Sequence, residues 1–495
     1  MNERTMVDFF SLQNEWWYGS PKFLLTKVKQ FKRRDYYHIL ENELETPEAL
    51  IIIGPRGVGK STVIYEIIRE LRGLSLSKDV SKFIEEKKGV DKKRIFYLSF
   101  EPSVLQKFKI LDIIKVYAKY ILREDVSKLS QKTYIFFDEI QNMDDWGGQL
   151  KHIQDLGLPI KFVISGSSSV KMIDEASKGA RRFRVYSMHP LKFSDFLRAN
   201  ISDEAFHKVL EKFKPMRKDF VAAIEENDAG SIFDKFLQLY SDMKPWQTDI
   251  ELLFQEYLIK GGYPEFIQTK DYSKCTSSLY ETFWLGVHKD SMAGSGIDPK
   301  AITELIEYIA RTSSCETNYA SLMKNSKATS NQDVLKKYLY HLENSYLINY
   351  SYPFSRGASR KSEFKIYLND IAIKNLLNGQ LNELLYRDEM QVGYTIETLV
   401  FDHALRLYYK IRPHTHMQYK KGDEDSSEID IVLQLNSKSI AIEVKKGDQP
   451  SLSEVGGLRE FAEKYKMPGF VLGGQKMSIE ENIVFLPYWL FILIC

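Results

Sequence analysis

The chain has 495 residues, 43% of them apolar, 27% charged and 13% aromatic, enough for about three domains with separate cores and too apolar for a chain disordered throughout. Its 69 basic residues nearly balance 67 acidic ones, for a net charge of +2, so no global field draws it to nucleic acid or membrane, and such binding requires a local patch. Cys275, Cys315 and Cys495 lie far apart without a C-x-x-C spacing, which argues against a disulfide framework or a cysteine zinc site and fits a reducing cytoplasm.

The stretch from Met1 to about Thr46 is polar, aromatic and helix-like, with a basic cluster at Lys32, Arg33 and Arg34 and no basic-then-apolar signal region. Ala49 to Ile53 is a continuous apolar run ending at Gly54-Pro55, the pattern of a strand buried on both faces. Similar runs follow at Ile95 to Phe100, Tyr134 to Phe137 and Phe162 to Ile164. Segments long enough for crossover helices separate them, so an α/β parallel sheet is expected. The helix after the first run carries Val63, Ile64, Ile67, Ile68 and Leu71 on one stripe.

Gly54-Pro55-Arg56-Gly57-Val58-Gly59-Lys60-Ser61 fills G-x-x-x-x-G-K-[ST] at every fixed position, between a strand and an amphipathic helix. Glycines let backbone N–H groups turn onto phosphate oxygens, Lys60 spans the β and γ phosphates, and Ser61 offers a magnesium ligand. With Thr62 these residues form the expected ATP-binding set. Asp138 and Glu139 end the third apolar run; Asp138 is expected to hold magnesium and Glu139 to polarise the attacking water, with helix capping as the plain alternative. Ser165 and Ser167, in Ser165-Gly166-Ser167-Ser168-Ser169, form either a hydroxyl sensor of the γ-phosphate or a simple turn. Of Arg181, Arg182 and Arg184, Arg182 is the candidate for stabilising charge on the transferred phosphoryl group.

From Ser202 to Lys260 the stripes Phe206, Val209, Leu210, Phe213 and Phe233, Phe236, Leu237, Tyr240 indicate an all-helical layer, taken as a lid. Gly261-Gly262-Tyr263-Pro264 breaks it. Between Ile302 and Leu377 the order is helix, short helix, helix, then strands Leu347 to Tyr352 and Phe364 to Leu368, joined by Ser355 to Ser362, which suggests a winged helix. Its second long helix, Asn331 to Ser345, buries Val334, Leu335, Tyr338, Leu339 and Leu342 and leaves Lys336 and Lys337 off the stripe. Lys324 to Lys365 holds eight basic residues against three acidic ones, a footprint for duplex DNA; a protein-docking or merely solvated face is the alternative. The last segment reads as helix Tyr394 to Leu407, strands Ile429 to Leu435 and Ile440 to Lys445, helix Leu452 to Tyr465 and strand Gly469 to Leu472. Phe485 to Cys495 is too short to span a membrane and reads as a final core element.

Taken together, the chain resembles AAA-type archaeal and bacterial ATPases, related to the STAND signalling ATPases, that carry a C-terminal PD-(D/E)XK nuclease-like domain. The phosphate loop, Asp138-Glu139-Ile140-Gln141 with Trp146, Ser165-Gly166-Ser167-Ser168, Pro190-Leu191-Lys192-Phe193, Gly261-Gly262-Tyr263-Pro264-Glu265, Tyr367-Leu368-Asn369-Asp370 and Glu443-Val444-Lys445 carry the resemblance. In relatives a Gly-Arg pair precedes the Pro-Leu segment; here Arg181 replaces the glycine before Arg182. The resemblance implies an α/β multidomain architecture: a P-loop parallel-sheet core over 1–200, a helical lid over 201–300, a winged helix over 301–380 and an α/β restriction-endonuclease-like domain over 385–495.

In that last domain Glu443 and Lys445 share one face of a strand while Ile442 and Val444 face the core. The resemblance implies that Asp430 and Glu443 hold a divalent cation, that Glu397 completes the shell, and that Lys445 orients the attacking water. Cleavage is a separate matter from fold, because such domains also persist as binding modules. His414 and His416 form a surface H-x-H without a further ligand in sight. The competing reading is a nucleotide-regulated protein whose winged helix docks a partner protein and whose C-terminal domain is not catalytic.

Overall fold

The computed structural model describes residues 3–19, 24–26, 42–76, 83–85, 89–167, 169–267, 269–292, 297–354, 363–411, 417–422, 428–434, 439–447 and 449–495. The basic cluster Lys32, Arg33 and Arg34, Ser168, the joining segment Ser355 to Ser362 and the pair His414 and His416 lie outside them. The chain forms two compact units, 1–189 and 190–495.

The first unit is built on a five-stranded sheet. Its strands are β1 (Ala49–Ile53), β4 (Ile95–Ser99), β5 (Thr133–Asp138), β6 (Ile160–Gly166) and β7 (Phe183–Ser187); β2 (Leu74–Leu76) and β3 (Phe83–Glu85) make a separate small hairpin. The order is β4-β5-β6-β1-β7 and every pair is parallel. All residues of β1 and β5 are buried, as their unbroken apolar runs require. At the edge, β7 exposes Arg184 and Val185, so it carries no apolar run to betray it. The aromatic start of the chain has a packing role: Trp17 and Tyr117 each stack on Phe96 of β4, and Asn14 exchanges hydrogen bonds with the Tyr97 backbone at 2.7 and 2.8 Å.

The second unit has a mixed nine-stranded sheet, in the order β15-β16-β14-β13-β12-β11-β9-β10-β8. Its strands are β8 (Glu316–Asn318), β9 (Ile348–Pro353), β10 (Glu363–Leu368), β11 (Met417–Lys420), β12 (Ile429–Gln434), β13 (Ser439–Val444), β14 (Gly469–Gly473), β15 (Ser478–Glu480) and β16 (Ile483–Pro487). The segments expected as separate winged-helix and nuclease-like domains therefore share one sheet, joined where β11 pairs in parallel with β9. The final apolar stretch divides into β16 and a wholly buried helix, Tyr488–Ile494. A helix apolar on every side needs cover on every side. The helical layer supplies it: Phe220 packs on Phe491, Tyr240 on Trp489 and Phe254 on Tyr488. The expected lid is thus a wall of the second unit's core.

Three of the motifs behind the resemblance meet at one point in this unit. The Leu191 N–H donates to the Gly262 carbonyl at 2.6 Å, and a Cβ on Gly262 would fall 2.1 Å from the Leu191 carbonyl oxygen. Asp370 receives the Gly262 and Ala372 N–H groups at 3.0 and 2.7 Å. Arg406, paired with Asp402, donates to the Pro190 carbonyl at 2.8 Å. Burial, aided by the Asp402 charge and opposed by the two N–H donors, pushes Asp370 up to about 7. An aspartate in the unfolded chain titrates near 3.9, so the folded chain holds this proton more tightly, and stability falls as pH rises from about 4 to about 7. Thermal melts at pH 5 and pH 8 are expected to show this decline in the wild type and a shallower one in Asp370→Asn; equal slopes would remove the assignment.

Candidate functional site

The phosphate-loop segment leaves the carboxyl end of β1 and enters the helix Lys60–Leu71. A Cβ on Gly54 would lie 2.1 Å from the Met188 carbonyl oxygen, so glycine alone fits that approach. Gly57 and Gly59 bend the loop with φ of 77° and 91°. Inside the bend, the Lys60 ammonium donates to the carbonyls of Gly54 and Pro55 at 2.9 and 2.8 Å and is 5% exposed. Lys60 and Ser61 open the helix, where unpaired N–H groups and the helix dipole favour an anion. The residues present fit a nucleotide phosphate: a glycine cradle, a buried cation that donates to two loop carbonyls, and a hydroxyl beside it.

Asp138 ends β5 at the same carboxyl edge, two strands from β1, or about 10 Å across the sheet. Its carboxylate accepts from the Ser165 hydroxyl, from the Tyr97 hydroxyl at 2.9 Å and from the Glu139 N–H at 3.1 Å. Burial and the Asp138 charge hold the Tyr97 phenol well above its usual range, so it stays a donor. Glu139 sits at φ 53°, an uncommon conformation for a side-chain-bearing residue that turns the chain sharply after the strand. Gln141 and Ser167 donate to its Oε2 at 2.5 and 3.1 Å. The structure thus brings together Asp138, Glu139, Ser165 and Ser167, and adds Tyr97 and Gln141. Tyr97 was hidden in an apolar strand; Gln141 lies in the Asp138-to-Gln141 motif.

Arg182 is placed elsewhere. It directly precedes β7 and pairs with Asp155, at the amino edge of the sheet. A strand of five residues, about 16 Å, lies between that edge and the loop after β1, so Arg182 does not reach the phosphate loop of its own chain. Arg184 is likewise engaged, with Glu43 and Glu48.

In the second unit, Glu397 and Asp430 converge on a residue that charge counting had assigned to a surface footprint. The Lys365 ammonium, on β10, lies 3.1 Å from Glu397, 2.5 Å from Glu428 and 3.8 Å from Asp430, with its side chain 3% exposed. Tyr367, two residues on along the same strand face, donates to Glu397 at 2.8 Å. Burial opposes the Lys365 charge, but Tyr367, Glu397, Asp430 and Glu428 outweigh it and hold the amine well above its usual range. Burial, with Glu397 and Glu443, raises Asp430 well above the carboxylate range against Lys365 and the Val444 N–H. Glu443 pairs with Lys445 at 2.8 Å through one oxygen, while the other is buried without a hydrogen-bond partner. Among the described residues no group of three or more His, Cys, Asp and Glu side chains is arranged to hold a metal ion.

The segment from Pro299 to Leu368 runs helix, strand, helix, helix, strand, strand, with β8 and β9 flanking β10. The helix Gln332–Asn344 buries Leu335, Tyr338, Leu339 and Leu342 and exposes Lys336 and Lys337. Lys324 and Lys327 are also exposed. Arg356, Arg360 and Lys361 lie outside the described residues.

Comparison with known proteins divides the chain into three matched stretches. Residues 46–197 match the family model of an AAA domain. This match lays an AAA-type domain over the parallel sheet. Residues 251–384 and 392–491 match two domains of unknown function, DUF8612 and DUF4143. An uncharacterized protein of Methanocaldococcus jannaschii, MJ1544, is 21% identical over 434 residues, covering 85% of this chain and 81% of its own. Similar solved structures include the Saccharomyces cerevisiae Hsp104–ADP complex, at 12% identity and TM-score 0.27 over 78% of this chain and 46% of that chain. Caenorhabditis elegans PCH-2 matches at 10% identity and TM-score 0.21, over 68% and 69% of the two chains. A DNA replication initiation factor matches at 12% identity and TM-score 0.21, over 61% of this chain and 85% of its own. This chain spans about half the length of the Hsp104 chain. Among the described residues no helix is long and apolar enough to cross a membrane.

The close approach at Gly54 gives a direct test of the loop. Gly54→Ala is expected to destabilise the first unit by about 1–3 kcal/mol or more, because backbone and not a flexible side chain must yield. Gly393→Ala, in a helix with open space around it, is expected to be neutral or mildly stabilising. Denaturation curves of both variants check the contrast.

Proposed function

We infer that the chain is an ATP-binding and ATP-hydrolysing AAA-type switch or motor whose second unit acts on duplex DNA. The observation that carries this reading is the phosphate loop closed around its own lysine, at the sheet edge where Asp138 ends its strand and Glu139 follows. The AAA domain match over the same residues supports it. Bound magnesium would neutralise charge on the phosphates, with Ser61 and Asp138 as its protein ligands. Lys60 exchanges its two loop carbonyls for phosphate oxygens, a gain in charge complementarity that favours the bound state. Glu139 accepts the proton of the attacking water, and Gln141 and Ser167 fix the direction of its carboxylate. Ser165 and Tyr97 keep Asp138 aimed along the same edge.

The element order from Pro299 to Leu368, with lysines exposed at 324, 327, 336 and 337, supports a winged helix that contacts the DNA backbone. Arg182, exposed on the opposite edge, is free to serve a loop other than its own only by leaving Asp155. For the last segment, Asp430, Glu443, Glu397 and Lys445 support a cation site of the nuclease-like kind. A second reading, in which this segment is not catalytic and the winged helix docks a protein, is favoured by Lys365, which already supplies the positive charge that the carboxylates need.

Lys60→Ala is expected to abolish ATP binding and turnover, and Glu139→Gln to retain binding while slowing turnover by about 100-fold or more; wild-type turnover in both would refute the site. Replacing Lys324, Lys327, Lys336 and Lys337 together by alanine is expected to weaken duplex binding and to reduce the dependence of log K on log salt by up to about 3–4. Unchanged duplex binding would favour the protein-docking reading.

A further inference from the structure

The carboxylates around Lys365 come from three places in the chain: Glu397 from the helix Glu389–Ile411, Glu428 from the residue before β12, and Asp430 from β12 itself. None of these elements carries the cation. It arrives on β10, from the helix-and-strand module, and its seat is built: the ammonium is enclosed at 3.1, 2.5 and 3.8 Å by the three acids and lies 5.3 Å from the centre of the Tyr419 ring. The backbone of Lys365 pairs with Ser351 on β9 and Glu316 on β8, so the amine is held at the end of an anchored stem.

A second observation bears on the same cluster, which with Lys365 in place is not arranged to hold a metal ion among the described residues. Glu443, on the neighbouring strand β13, has one buried oxygen with no hydrogen-bond partner. Its charge is felt by Asp430, and it feels Lys365 and Glu428 in turn. A buried carboxylate oxygen left unpaired costs free energy, and a divalent cation, which takes six or more oxygen ligands, is a species that would satisfy it. Lys365 serves Glu397, Glu428 and Asp430, and Lys445 engages only one oxygen of Glu443, so the other stays unserved by either ammonium.

We propose that Lys365 is a built-in counter-cation that keeps a divalent metal out of the carboxylate cluster, so that the cluster loads only when this side chain is withdrawn. This rests on the reading of Asp430, Glu443 and Glu397 as cation ligands and adds its control. The amine and the metal compete for the same anionic oxygens, and both cannot be accommodated without like-charge repulsion in a buried site. No bond is made or broken; one cation replaces another.

The test uses the full chain without nucleotide, titrated calorimetrically with Mn2+ alone, in wild type, Lys365→Met and Lys365→Met/Asp430→Asn. Any Mn2+ bound in the first unit is common to all three. Lys365→Met is expected to bind one more Mn2+ than the wild type, at least about tenfold more tightly than any wild-type binding to the cluster, and the double variant to lose it. If wild type and Lys365→Met bind that extra ion equally, and the double variant loses it, the lysine excludes nothing; the proposal falls and the cation-site reading stands. If a folded Lys365→Met takes up no extra ion, both fall. Should Lys365→Met be unstable, its melting temperature with and without Mn2+ decides: a rise confined to the variant and absent in the double variant supports the proposal, and no rise overturns it.

Discussion

The second unit is organised around a backbone contact that tolerates no side chain. Leu191 and Gly262 exchange a hydrogen bond so close that a Cβ on Gly262 would collide with the Leu191 carbonyl. Asp370 then caps the helix Ile371–Leu377 and receives the Gly262 N–H with the same carboxylate, and Arg406 ties Pro190 to the long helix before β11. Four stretches of sequence are fixed relative to one another by atoms that are mostly main chain. The helical wall, the strands β9 and β10 and the carboxylates of Glu397 and Asp430 inherit their positions from it. Main-chain polar groups buried away from water must be paired, which is why charged side chains recur at this depth.

The two charged sites solve opposite problems. In the first unit, the buried Lys60 donates to two loop carbonyls, which carry no full charge. In the second, Lys365 is buried among carboxylates, partners that another cation must displace.

How much of this could be read beforehand depended on burial. Strands β1, β4, β5 and β6 are covered on both faces and announce themselves as apolar runs, and the phosphate loop is spelled out residue by residue. The edge and short strands β7, β8, β11 and β15 have one face or both ends in water, and their composition does not separate them from loops. The helices of the second unit were legible as stripes, but the surface they cover was not: nothing local in Phe220 or Tyr240 says that its partner is Phe491 or Trp489. The place of Lys365 was hidden for the same reason. Within Phe364-Lys365-Ile366-Tyr367 the alternation places lysine and tyrosine together on one face, which reads as a solvated face until Glu397, 32 residues on, is known to lie beneath it. Arg182 matched a motif position, yet a motif has no means of telling which edge of a sheet it occupies.

The pairing of β11 with β9 crosses the border between two family matches. The two domain families matched in this region meet between residues 384 and 392, as though two modules had been joined by a linker, whereas the hydrogen-bonded ladder runs through that border without a seam. Its nine strands extend about 38 Å from β15 to β8. A chain cut at the family border would expose two unsatisfied sheet edges and strip the carboxylates of their counterion. The two matched stretches are therefore parts of one elastic plate, in which a twist imposed at one rim is felt at the other.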